Sequence, residues 1–110
     1  MSDQPVRITL ARHDLPPGLP MGTVEVRRIT MPPNLAAGPH RHDGPVFGVI
    51  EQGSALVQVG DGPVLRLCVG ETFYEPAHEV ITKFDATEDG VTFLGWFPVR
   101  AGAQPQFHML

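Results

Sequence analysis

The strongest constraint on this chain is its punctuation. Twelve glycines and twelve prolines are spread along 110 residues, and they cut the sequence into short apolar stretches. No window of about eleven residues repeats apolar positions at i, i+3, i+4 and i+7 without meeting a Pro or Gly, so helices are disfavoured. Strand-type segments recur instead, at 6–10 (VRITL), 23–31 (TVEVRRITM), 46–51 (VFGVIE), 54–59 (SALVQV), 64–69 (VLRLCV), 72–75 (TFYE), 80–84 (VITKF) and 91–97 (VTFLGWF). Between them lie "LPPGLPMG", "PPNLAAGP", "GDG", "VGE" and "ATEDG". The "GDGP" at 60–63 is a hairpin signal, because glycine tolerates the positive φ of tight turns.

Seven or eight short antiparallel strands on a chain of this length have two common solutions, an immunoglobulin-like sandwich and a jelly roll. The sandwich usually buries a Trp between central strands, and antibody-like domains add a pair of Cys. Here the single tryptophan, Trp96, lies near the C-terminus and the single cysteine, Cys68, has no partner. The expected class is therefore all-β, a jelly-roll barrel. With no internal repeat and no linker, residues 1–110 read as one domain.

Charge and hydropathy exclude other classes. The net charge is −4 and Lys83 is the only lysine, so the basic patch of a nucleic-acid-binding protein is absent. No apolar run approaches the roughly 18 residues of a membrane span. The start, "MSDQPVRITL", lacks the basic-then-apolar layout of a secretion signal. A lone cysteine rules out an internal disulfide, and a reducing cytoplasm is the expected compartment. No nucleophile elbow, phosphate loop or dinucleotide fingerprint occurs. The "EDG" at 88–90 reads as a turn and not as a calcium loop.

One stretch carries chemistry: "GPHRHDGPVFGVIEQG", residues 38–53. Strand side chains alternate faces, so His40 and His42 point the same way, ~6–7 Å apart along the strand. Neutral imidazole is the commonest transition-metal ligand. A bare H-x-H also suits two solvated rings in a loop beside Pro39, so the surroundings of the pair matter more than the pair.

Those surroundings resemble the first motif of the cupin superfamily, the RmlC-like jelly rolls. In that motif a glycine and a short spacer precede H-x-H, and a glutamate follows, separated by six intervening residues from a closing glycine. His40, His42 and Gly53 match it, whereas the glutamate position holds Val46. The second motif opens with a glycine, five residues and a proline, matched by Gly70 and Pro76 in "GETFYEP". Its turn glycine is replaced by His78 and its ligand histidine by Ile81. The resemblance runs from about residue 23 to 97 and implies a double-stranded β-helix barrel. It also implies a divalent ion (Fe, Zn, Mn or Ni) held by His40, His42 and further donors. Three candidates are Glu75, at the end of a strand that lines the barrel in cupins, His78, which a changed turn would swing inward, and Gln58, on the strand after Gly53.

The same resemblance places a ligand pocket near the metal. Val46 and Ile81 would supply hydrocarbon in place of ligands, and Phe47, Tyr74 and Trp96 aromatic walls. Gly48 would leave room for a ligand, and Gln58 is a further polar candidate of uncertain face. Cys68 reads as a small buried strand residue and not a ligand, and His13 and His108 as solvated residues of the terminal segments. Two functions follow. One is a metal-dependent enzyme, typically a dioxygenase or isomerase acting on a small organic acid or phenol. The other is a non-catalytic small-molecule-binding or regulatory cupin with a degenerate metal site. Either would take a small-molecule partner, with no nucleic acid or membrane. A homodimer is expected, with the edge segment "PVRITLAR" seeking a strand partner.

Overall fold

The computed structural model describes residues 4–110. Seven strands follow one another: β1 (Thr23–Met31), β2 (His40–His42), β3 (Val46–Val59), β4 (Leu65–Cys68), β5 (Thr72–Glu75), β6 (Ile81–Val99) and β7 (Phe107–Met109). All pairings are antiparallel. The order β4-β3-β6-β2-β7 forms the central path, with β1 beside β6 and β5 beside β3. The architecture is an all-β jelly-roll barrel. Among the described residues, no helix is long and apolar enough to cross a membrane.

Two long strands make the barrel. The first part of β3 pairs with β5 on one side and with the second part of β6 on the other. Beyond Gly53, β3 pairs with β4 and with the first part of β6. Both strands therefore pass from one sheet to the other. The segments 46–51 and 54–59, expected as separate strands, are one bent strand. So are 80–84 and 91–97, and "EDG" is a bend inside β6 and not a turn between strands.

The bend has a local cause. Gly53 sits at φ 71° and Gly90, beside it on β6, at φ 69°. A Cβ on Gly53 would lie 2.0 Å from the Gly90 carbonyl oxygen. The register between β3 and β6 shifts on both sides of this point, between Ile50 and Gln52 and between Gly53 and Ala55. A β-bulge of this kind sharpens the twist and turns the strand. Next to it, the buried hydroxyls of Ser54 and Thr87 are 2.6 Å apart and satisfy one another.

The core follows from strand alternation. Along β3, Val46, Gly48 and Ile50 are buried while Phe47 and Val49 are only partly so; along β6, Val91, Phe93, Gly95 and Phe97 are buried. The rings of Phe73, Phe84 and Phe93 pack with centroids 4.7–5.5 Å apart, within the favourable range for aromatic pairs. Residues 6–10, expected as a strand, belong to no strand, and Val6, Ile8 and Leu10 are exposed. The pattern alternates, but no strand among the described residues pairs with it. In contrast, β7 lies beyond every segment expected to form a strand.

Candidate metal centre and cavity

His40 and His42 stand on β2, a three-residue strand held between β6 and β7. His40 is buried, and its Nδ1 is 2.7 Å from the Gly38 carbonyl oxygen. A carbonyl can only accept, so Nδ1 carries the proton and the lone pair of the neutral ring is on Nε2. That Nε2 lies 3.2 Å from Nε2 of His42. On its other side, His42 Nε2 is 2.7 Å from Oε2 of Glu75. Three ligand atoms thus lie within 4.8 Å of one another, two of them on buried residues.

The donor set fits a divalent cation. Two facing imidazole nitrogens and a buried carboxylate all offer electron pairs to one small volume. Something positive, a shared proton or a metal ion, has to stand among them. Neighbouring ligands of an ion with bonds of ~2.0–2.2 Å lie about 3–3.4 Å apart, close to the separation of the two imidazole nitrogens. Two histidines and one carboxylate form the set found in non-haem iron sites, and nitrogen–oxygen sets also suit zinc, manganese and nickel.

Glu75 reaches this point through sheet pairing. It is the direct antiparallel partner of Val46, the residue at the position where the cupin motif places its glutamate. Side chains directly opposite on adjacent strands share a face, with Cβ atoms about 4.5–5.5 Å apart. A carboxylate at 75 therefore enters the barrel beside the place where one at 46 would have done. Glu75 is only 4% exposed, so its carboxylate faces the two imidazoles and not solvent.

His78 is not brought into this cluster. It is exposed, at φ 68°, in the left-handed region that a glycine would occupy without strain. Its contribution comes from the backbone, whose N–H donates to the carbonyl of His42 at 2.9 Å. His108 pairs with Asp43 at 2.9 Å on the surface, and the ring of His13 packs 4.6 Å from that of Tyr74. Cys68, expected to be buried, is exposed.

A cavity of about 270 Å³ opens beside the three donors. Among the expected pocket residues, only Val46 lines it. Phe47, Tyr74 and Trp96 are excluded by alternation, because Val46, Glu75 and Phe97 next to them already face inward. They form a cross-strand row on the outer face, where Phe47 and Tyr74 stack at 5.1 Å and 11°. Burial, and then the Glu79 carboxylate, hold the Tyr74 phenol above its usual range. Gly48 does face inward, but the space it leaves belongs to Phe73; a Cβ there would lie 2.1 Å from that ring. Ile81 is fully buried core opposite His40, and Gln58 donates to the Gly62 carbonyl at 2.9 Å to tie the hairpin.

The cavity walls come from residues the sequence did not single out for it: Arg27, Ile29 and Met31 on β1, Phe73, Phe84, Phe93 and Phe97, and Phe107 and Met109 on β7. Met109 and Phe107 are the cross-strand partners of His40 and His42. The ring of Phe107 lies 6.1 and 6.2 Å from the two imidazoles. Strand β7 is thus one wall of the site. Alternation in "FHM" is the only signal for it, and three residues are too few to read.

Comparison with known proteins agrees with this architecture. The sequence matches the cupin domain family over residues 27–92, and the chain belongs to that family. A search of curated protein sequences found no match. Among solved structures, the DMSP lyase DddQ from Ruegeria pomeroyi DSS-3 superposes with a TM-score of 0.67 at 18% identity, over 76% of this chain and 42% of the lyase. An oxalate oxidase, solved with the substrate analogue glycolate, gives 0.67 at 19% identity, over 79% of this chain and 46% of the oxidase. KdgF from Halomonas sp. gives 0.59 at 21% identity, over 81% and 88%. At these identities the likeness is one of fold. This chain spans less than half the length of the lyase and of the oxidase.

Proposed function

We propose that this chain is a single-domain, metal-dependent cupin. His40, His42 and Glu75 would hold a divalent ion at the inner end of the cavity, where a small organic molecule is bound and transformed. The observation that carries this reading is the convergence of two imidazole nitrogens and a buried carboxylate on one point. Three protein donors leave open positions, at which a bound ion supplies Lewis acidity or binds dioxygen. Dioxygenation and isomerisation of small organic acids or phenols are the reactions this arrangement suits.

The residues of the chain do the rest. Gly38 fixes the tautomer of His40. The apolar walls exclude water and strengthen every charge interaction inside the cavity. Phe107 and Met109 close the side next to the histidines. The alternative, a binding protein without chemistry, draws its support from Val46, which puts hydrocarbon beside the donors.

Metal analysis of untagged protein tests the reading. Near one equivalent of metal is expected, lost in a His40→Ala, His42→Ala double variant and retained in His78→Ala. Metal-free wild-type protein that still binds a small ligand would favour the alternative. Full metal content in the double variant would place the site elsewhere.

A homodimer belongs to the same proposal. Residues 6–10 present Val6, Ile8 and Leu10 with no strand partner, and among the described residues β1 is paired only along its β6 side. An unpaired edge and an unpaired strand-like segment satisfy each other between two copies. Deleting residues 1–12 should shift the protein from dimer to monomer in light scattering; an unchanged dimer would exclude this segment from the contact.

A further inference from the structure

We propose that Arg27 is the residue that selects the ligand, and that the ligand is a small carboxylate with an apolar body. Among the residues lining the cavity, Arg27 and Glu75 are the only ones with formal charge, and the remainder besides the two histidines are aliphatic or aromatic. A divalent ion held by two imidazoles and one carboxylate would leave the inner end of the cavity net positive. At the partly exposed end stands the Arg27 guanidinium, ion-paired through Nε with Glu25 and keeping its remaining N–H donors. A net positive inner end and a guanidinium with free N–H donors, separated by hydrocarbon, favour an anionic hydrogen-bond acceptor over a neutral molecule of the same size.

The geometry supports a carboxylate in particular. Arg27, Ile29 and Met31 follow one another on the inward face of β1. The Arg27 guanidinium lies over the ring of Phe97, with Cζ 5.1 Å from its centroid, and the His42 ring lies 6.3 Å from the same centroid. One phenylalanine thus separates the arginine from the donor cluster and offers its surface to whatever spans the two. The ring face holds the cation as a cation–π partner. Glu25, two residues away on the same face, accepts from Nε of Arg27. No other acceptor among the described residues bonds this guanidinium, which has five N–H donors in a fork that matches a carboxylate. A cavity of about 270 Å³ has room for a small organic acid the size of benzoate.

Given that this assignment rests on an ion at His40, His42 and Glu75, the test reads metal and ligand separately. Calorimetry on the zinc-loaded full chain would compare benzoate with uncharged benzyl alcohol. Benzoate should bind about tenfold more tightly or better, as a charge-assisted bidentate contact requires. Arg27→Met keeps the apolar stem over Phe97; it should lose most of that preference, the ion supplying the remainder, while zinc content and benzyl alcohol affinity stay unchanged. Arg27→Lys keeps the charge without the fork and should fall between. Glu25→Gln frees the guanidinium and should tighten benzoate a few-fold, which also tests the assignment if Arg27→Met does not fold. Equal affinity for the two probes, no benzoate binding, or full benzoate affinity in the Arg27 variants would overturn the assignment. Arg27-dependent benzoate binding by protein that takes up no zinc would instead remove the metal reading and leave the anion site standing. Full zinc content with benzoate binding indifferent to Arg27 would do the reverse.

Discussion

Replacing Glu75 with valine should lower metal affinity by about 100-fold or more, since loss even of an outer-shell partner typically costs 10–100-fold. The informative experiment is the exchange. Val46 and Glu75 are direct cross-strand partners, so Val46→Glu combined with Glu75→Val moves the carboxylate across one ladder rung and keeps the cavity composition. Metal affinity should return to within about tenfold of wild type, because the two positions share a face about 5 Å apart. The single change Val46→Glu puts two carboxylates side by side and should destabilise the metal-free protein while tightening the metal-bound one. Competition titration with a chromophoric chelator measures all four proteins. An exchanged variant no better than Glu75→Val would mean that position 75, and not the shared face, sets the site.

The second large effect is on folding. Gly53→Ala should destabilise the protein by at least about 3 kcal/mol, combining a left-handed backbone cost of roughly 1–2 kcal/mol with a steric clash. The clash is with backbone, the Gly90 carbonyl oxygen at 2.0 Å, so no side chain can rotate away to relieve it. Gly60→Ala is the control: φ is also positive, at 53°, but a Cβ there meets nothing within 4 Å. It should cost only the backbone term. Urea unfolding followed by tryptophan fluorescence separates the two, since domains are stable by only about 5–15 kcal/mol. Equal losses at 53 and 60 would show that the close crossing of β3 and β6 is not what holds the bend.

These two cases also show what the sequence reveals and where it stops. The strand-rich, helix-free character follows from Gly and Pro punctuation, and the shared face of His40 and His42 from strand alternation. Gly53 is recognisable as a motif glycine, and its cause, the close approach of Gly90, is a contact between distant strands that no local pattern encodes. The missing glutamate at 46 is equally plain in the sequence, whereas its cross-strand pairing with Glu75 depends on register between β3 and β5. Alternation alone would have kept Phe47, Tyr74 and Trp96 out of the cavity, since each adjoins an inward-facing residue. Arg27 is different. Nothing in "TVEVRRITM" tells which of its two faces turns inward until β1 is docked on β6.

An anomalous difference map from crystals of the metal-loaded protein tests the central claim most directly. A single strong peak is expected about 2.0–2.2 Å from Nε2 of His40, Nε2 of His42 and a carboxylate oxygen of Glu75. A peak bound by other side chains, or no peak in crystals whose protein is shown to contain metal, would contradict it.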